Sequence, residues 1–227
     1  MVTPSLHIDR QTFQTRSNSF SFGALGDSYY EYLLKAWIQG GKQEARLKEM
    51  YNKAVDGMHT LLLGKSKKDG FWFVGEKRGS RLVKNMQHLT CFVPGMLALG
   101  TLHEKDEERK KRDLTTARAL MYGNDEDNNN IINIINIIII INIINIINII
   151  IIIIIIIPSS LHFALTSRYT CYEMYHSMPS GLSPEYVTFV DEKGMSAGVS
   201  GRSYLLRPEV VESLYILYTV TKDPLYQ

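Results

Sequence analysis

Two stretches of this chain place carboxylates where they could do chemistry. One is Gly26-Asp27-Ser28-Tyr29-Tyr30-Glu31-Tyr32-Leu33-Leu34-Lys35; the other is Leu205-Leu206-Arg207-Pro208-Glu209-Val210-Val211-Glu212-Ser213. The acids Asp27 and Glu209 stand 182 positions apart. Each opens a helix-like apolar pattern, where a side chain can project from the helix mouth into a shared cavity. Two such acids are the minimum equipment for splitting a glycosidic bond, one protonating the leaving oxygen and the other activating water or attacking. Each also has a plain structural reading. Asp27 would cap a helix beginning at Ser28, and Glu209 would favour a helix dipole.

The elements that must position these acids are mostly helical. Tyr29, Tyr32, Leu33, Ala36 and Trp37 recur at helical spacing between Leu25 and Gln39, and Gly40-Gly41 ends that run. A second helix is expected from about Gln43 to Leu63, with Leu47, Met50, Tyr51, Ala54, Val55, Met58 and Leu61-Leu62 on one face. The aromatic, glycine-bounded run Gly70 to Gly75 reads as a strand, possible in a hairpin, and Tyr186 to Val190 as another. Further helices are expected over Leu89–Leu99, around Leu114–Met121, and from Pro208, suited to a first helical turn, to about Val220. The expected class is mainly α with short hairpins. Thr221 to Gln227 read as an element cut off without a cap, hence as a truncation.

Charge excludes some functions. A net charge of +2 makes no electrostatic case for nucleic acid or an anionic membrane. The densest basic run, Arg109-Lys110-Lys111-Arg112, follows Glu104, Asp106, Glu107 and Glu108, so it reads as a solvated helix face or loop. The two cysteines, Cys91 and Cys171, either pair in an oxidising compartment or are buried thiols, with composition leaning to thiols. No basic segment followed by an apolar one opens the chain, so no signal peptide is visible. A lumenal fate or a membrane anchor would need an N-terminal segment that this chain does not carry.

Residues Ile131 to Ile157 contain only isoleucine and asparagine. The run is long enough to span a bilayer. However, Asn133, Asn136, Asn142, Asn145 and Asn148 are costly in hydrocarbon, and no aromatic belt or flanking basic cluster is present. As an exposed soluble element it would drive cross-β aggregation. Both residue types can be encoded entirely by A and T, so the tract reads as a retained intron or a low-complexity insertion within 123–169. On this reading 1–122 and 170–227 are two parts of one domain.

Four blocks in order now define a resemblance: Gly23 to Lys35, His88-Leu89-Thr90-Cys91-Phe92, Gly181-Leu182-Ser183-Pro184-Glu185, and Leu206 to Ser213. Together they resemble the class I α-1,2-mannosidases, glycoside hydrolase family 47, over about residues 20–122 and 170–227. The resemblance implies part of an (α/α)7 barrel that removes terminal α-1,2-linked mannose from high-mannose N-glycans with inversion. It implies Glu209 as the base and Asp27 as one of the acids at the scissile bond, with another candidate acid upstream of Met1. It further implies that Glu185, Arg207, Glu212 and His88 line the sugar pocket, although His88 alone would read as a core histidine. Glu31 and Lys35 read as a helix-surface pair.

The resemblance also implies a calcium cofactor. Its direct threonine ligand is expected beyond the C-terminus, so no metal ligand is assigned in this chain. It pairs Cys91 with Cys171, reversing the compositional lean, and implies an endoplasmic reticulum or Golgi lumen. Leu25 occupies a position where Golgi-type members carry Leu, which leans towards that type. A mannosidase-like glycan-binding protein with little turnover is the alternative function. The isolated chain, lacking part of the barrel, is expected neither to fold well nor to cleave.

Overall fold

The computed structural model describes residues 19–122 and 170–227. The isoleucine–asparagine tract and the insertion expected over 123–169 lie outside the described residues. Among those described are six α-helices: α1 (Asp27–Gln39), α2 (Ala45–Leu61), α3 (Val93–Thr101), α4 (Glu107–Tyr122), α5 (Thr170–His176) and α6 (Glu209–Thr221). The expected mainly α class is thus observed. Among the described residues no helix is long and apolar enough to cross a membrane.

Helix α1 buries a face rotated from the expected one. Tyr30, Leu33, Leu34 and Trp37 are the buried residues, whereas Tyr29 and Tyr32 are 42% and 59% exposed. Both stripes satisfy a 3.6-residue period. Phe22 decides between them by stacking on Tyr30 at 3.9 Å between ring centroids. Helix α2 behaves as expected, burying Tyr51, Ala54, Val55 and Met58.

Helix α3 is apolar nearly all round and lies in the core, packed against α1, α4 and α6. Its expected beginning at Leu89 is instead a 3-10 turn, His88–Phe92, followed by Pro94 in the first turn of the α-helix. Gly95 permits the close crossing of α6. A Cβ there would lie 2.9 Å from the Ser213 Cα. The Ser213 hydroxyl fills the join, accepting from the Gly95 N–H at 2.9 Å and donating to the Cys91 carbonyl at 2.6 Å.

Helix α4 starts well before the expected Leu114, and its basic run does more than face solvent. Arg109 and Arg112 reach Asp56 of α2 at 2.7 and 2.9 Å. The solvated reading holds for Lys110 and Lys111.

Among the described residues, eight short strands form three antiparallel sheets. β2 (Leu63–Lys65) pairs with β3 (Trp72–Val74), so the strand expected over 70–75 sits in a hairpin. The second helix therefore ends before Leu63, which pairs with Val74. β1 (Ser19–Phe20), β4 (Glu76–Arg78) and β5 (Arg81–Val83) form a second sheet, with Gly79 supplying the positive φ at the hairpin turn. β6 (Asn85–Gln87), β7 (Tyr186–Val190) and β8 (Gly194–Ser196) form the third.

The final residues form a finished turn. Helix α6 ends at Thr221, Lys222 turns left-handed (φ 59), and the Asp223 carboxylate accepts from Leu225 N–H at 3.0 Å to cap Pro224–Tyr226. The expectation of a run cut off mid-element is corrected on that point.

Candidate active site

The β6–β7 register is what brings the first two site residues together. Asn85, Met86 and Gln87 pair with Thr188, Val187 and Tyr186. One step further, the His88 N–H donates to the Glu185 carbonyl at 2.8 Å, extending the ladder. His88 and Glu185 are therefore neighbours because one antiparallel pairing makes them so. Glu185 is tied again from the other side by its N–H to the Gly201 carbonyl at 2.6 Å.

Arg207 completes this side. Its Nε and a terminal nitrogen both approach Glu185 Oε2 at 2.7 Å. Two residues on, Glu209 opens α6, and its carboxylate Oε2 lies 3.9 Å from His88 Nδ1. The N-termini of α1 and α6 carry the acids, and charge links them. Burial raises the proton affinity of Glu209, and the carboxylates of Asp27 and Glu185 add to the rise, while its own backbone N–H and Arg207 oppose it. Asp27 is half-buried and accepts from the Ser28 N–H at 2.9 Å, but it is the first residue of α1 rather than its cap, since Gly26 holds the N-cap position without a side-chain bond.

His88 is 1% exposed, and burial lowers its pKa to about 4. It is therefore a neutral imidazole at ordinary pH. Three buried atoms in this group have no hydrogen-bond partner: His88 Nδ1, Glu185 Oε1 and Glu209 Oε2. Unpaired polar atoms buried together cost free energy unless water or a ligand satisfies them. This cluster offers a hydroxylated ligand one neutral ring nitrogen and two carboxylate oxygens.

Backbone strain stands at the entrance to both acid-bearing helices. Leu25 and Leu206 adopt left-handed backbone, φ 72 and 54, and are 79% and 83% exposed. Such a conformation costs a leucine on the order of 1–2 kcal/mol, and strain of this kind gathers at functional sites.

Glu212, one turn along α6 from Glu209, is engaged by a lysine of α1. Lys35 bridges it at 2.5 Å and Glu31 at 2.6 Å, so the expected surface pair is a three-residue link from α1 to α6. Two tyrosines escaped the sequence reading. Tyr175 bonds His88 Nε2 at 2.9 Å, and Tyr204 packs edge-on against both rings. Their aromatic type carried no signal among so many tyrosines. Cys91 and Cys171 form a disulfide, which settles the two compositional alternatives in favour of pairing.

Carboxylates at the mouths of α1 and α6 thus stand with Glu185, a guanidinium and a neutral imidazole in one electrostatically linked group. The sequence profile described as Glycosyl hydrolase family 47 matches residues 2–227, and the chain belongs to that family. It is similar to the "Endoplasmic reticulum mannosyl-oligosaccharide 1,2-alpha-mannosidase" of Rattus norvegicus, 37% identical over 218 residues, covering 94% of this chain and 25% of the relative. It is also similar to "Mannosyl-oligosaccharide 1,2-alpha-mannosidase MNS1" of Arabidopsis thaliana, 32% identical over 224 residues, covering 98% and 31%. The chain thus spans about a quarter to a third of the length of these relatives. Among solved structures, an alpha-1,2-mannosidase from Trichoderma reesei shares the fold with a TM-score of 0.62 at 18% identity, covering 100% of this chain and 41% of that one.

Proposed function

We propose that this chain is part of an inverting α-1,2-mannosidase that trims terminal mannose from high-mannose N-glycans of glycoproteins. The observation that carries the reading is the convergence of Glu209, Glu185 and His88, each with a buried unpaired atom, under the charge of Asp27. Relatives named as mannosyl-oligosaccharide 1,2-alpha-mannosidases supply the substrate class.

In this mechanism Glu209 accepts the proton of the attacking water. Its raised proton affinity, caused by burial and then by Asp27 and Glu185, suits a base. Arg207 engages the neighbouring Glu185 through Oε2, leaving Glu185 Oε1 as an acceptor for a sugar hydroxyl. His88, neutral, offers a ring nitrogen without adding charge beside the positive character that develops at the anomeric carbon. Asp27 acts across the scissile bond as one of the acids.

Calcium belongs to the proposal as cofactor. Among the described residues no three His, Cys, Asp or Glu side chains are grouped to hold a metal. No direct calcium ligand is assigned among them, and no step above runs through the ion. Glu209 Oε2, buried and unpaired, is the oxygen suited to hold a calcium-bound water.

The proposal includes a lumenal location, for which a relative named for the endoplasmic reticulum and the Cys91–Cys171 disulfide speak. Leu25 speaks for the Golgi type. The proposal also treats 123–169 as an insertion in one domain, which spliced transcript sequence tests directly. Translated isoleucine codons at full abundance would remove the intron version.

The test of function uses the full-length protein and a high-mannose glycan. Mannose should be released first as the β-anomer, and Glu209→Gln should cut kcat by at least about a hundredfold. Release as the α-anomer, or full activity in Glu209→Gln, would overturn the reading. Binding without release would favour the glycan-binding alternative.

A further inference from the structure

His88 uses its two ring nitrogens for different purposes. Nε2 meets the Tyr175 hydroxyl at 2.9 Å. Nδ1 faces Glu209 Oε2 at 3.9 Å, and neither of those two atoms has a hydrogen-bond partner. The ring is 1% exposed, so bulk water does not choose its tautomer. The protein must do so.

We propose that Tyr175 is a positioning residue that donates its hydroxyl proton to His88 Nε2 and so holds the ring in the Nδ1–H form, aiming an N–H at the Glu209 carboxylate. The argument proceeds by elimination. Burial keeps the imidazole neutral, with a pKa lowered to about 4, so near neutral pH it carries one ring proton. If that proton sat on Nε2, the Nδ1 lone pair would face a carboxylate oxygen with no donor between them. Two acceptors buried face to face are costly. With the proton on Nδ1, the ring N–H faces the carboxylate, directly or through one water or one sugar hydroxyl. Nε2 then needs a donor, and the Tyr175 hydroxyl is the group at hydrogen-bonding distance.

Tyr175 is equipped to remain that donor. Burial pushes its pKa well above the ordinary value for tyrosine, so the hydroxyl keeps its proton. Tyr204 stands edge-on to both rings, with centroids 6.3 Å from Tyr175 and 6.4 Å from His88. Tyr175, His88 and Glu209 thus stand in a row in which the tyrosine orients the ring and the ring faces the carboxylate, with Tyr204 packed against the first two.

The backbone holds this chain in place through a double rung. Cys91 lies three residues beyond His88 in the 3-10 turn, and Cys171 lies four residues before Tyr175 in α5. Both spacings are one turn of their helix. The Cys91–Cys171 disulfide and the Tyr175–His88 hydrogen bond therefore run side by side between the same two elements. The covalent rung fixes the separation at which the polar rung forms.

The catalytic consequence rests on Glu209 being the base, but the tautomer does not, and the test keeps the two apart. The chain is labelled with 15N-histidine, and long-range proton–nitrogen correlation at neutral pH distinguishes Nδ1–H from Nε2–H rings. His88→Gln identifies the signal among the six histidines. His88 should be Nδ1–H in the native chain and move towards Nε2–H in Tyr175→Phe, which retains the ring packing. An Nε2–H ring in the native chain, or an unmoved tautomer in Tyr175→Phe, overturns the proposal. Tyr204→Phe disturbs the same aromatic cluster and should leave the native tautomer in the majority; loss of it there assigns the effect to packing and also overturns the proposal. In the full-length protein, Tyr175→Phe should lower kcat roughly tenfold or more, with KM changed little. Unchanged kcat with a switched tautomer would remove the positioning role. An inactive native protein would count against the mannosidase reading alone and leave the tautomer result standing.

Discussion

Glu209 Oε2 and His88 Nδ1 face each other across 3.9 Å inside the protein, and neither atom is hydrogen-bonded. One comes from the first residue of α6 and the other from a 3-10 turn held by the β6–β7 ladder. This gap is narrow enough to couple the two groups and wide enough to admit the edge of a third. A site shaped for a ligand leaves this kind of debt in buried polar groups, and the debt makes stability depend on pH and on these side chains.

His88 makes the fold acid-sensitive. An unfolded histidine binds its proton below about 6.5, whereas His88 in the folded protein binds it only near 4. Between those values the unfolded state holds more protons, so stability falls as pH drops through that window. The full loss is on the order of 3 kcal/mol. Denaturant unfolding at pH 7 and pH 4.5 should show that slope in the native chain and a weaker one in His88→Gln. Parallel slopes would sink the prediction.

Glu209 acts with the opposite sign. Burial first, and then its carboxylate neighbours, raise its pKa, so its folded-state advantage is present at low pH and is lost as pH rises. Replacing the charge by an amide in Glu209→Gln should raise the melting temperature at pH 7. The gain should shrink towards pH 4, where the native residue is itself protonated. A variant less stable than the native protein at pH 7 would contradict this account of the site.

The α3–α6 crossing depends on the missing side chain of Gly95. A Cβ there would press on the Ser213 backbone at 2.9 Å. Gly95→Ala should cost about 1–3 kcal/mol through overpacking. Ser213→Ala should cost about 1–2 kcal/mol by stripping partners from the Gly95 N–H and the Cys91 carbonyl. Thermal unfolding of both variants checks this, and a neutral Gly95→Ala would mean that the helices can part freely.

The disulfide closes a loop with a sequence separation of 80. By chain entropy it should contribute about 4 kcal/mol, less any structure that the reduced unfolded chain retains. Chemical unfolding of the native protein against Cys91→Ala/Cys171→Ala measures it. A difference below about 1 kcal/mol would show that the link does not restrain the unfolded chain.

The sequence by itself determined the family, the helical class and the blocks that carry the candidate site. Asp27, Glu209, Glu185, Arg207 and His88 were legible because they stand in compact blocks whose local spacing is written in order along the chain. The disulfide was legible only through the resemblance, since composition pointed the other way. Tertiary structure decided what local periodicity leaves degenerate. Helix α1 has two apolar stripes of equal period, and contact with Phe22 selects the one containing Tyr30 and Leu34. The β2, β4, β5 and β6 strands are three residues each, too short for an alternating pattern to announce them. Tertiary structure also turned Glu212 towards Lys35 and placed Tyr175 on His88. Those partners lie 177 and 87 positions apart, and contacts between distant side chains follow from how helices and sheets pack, which no local spacing encodes.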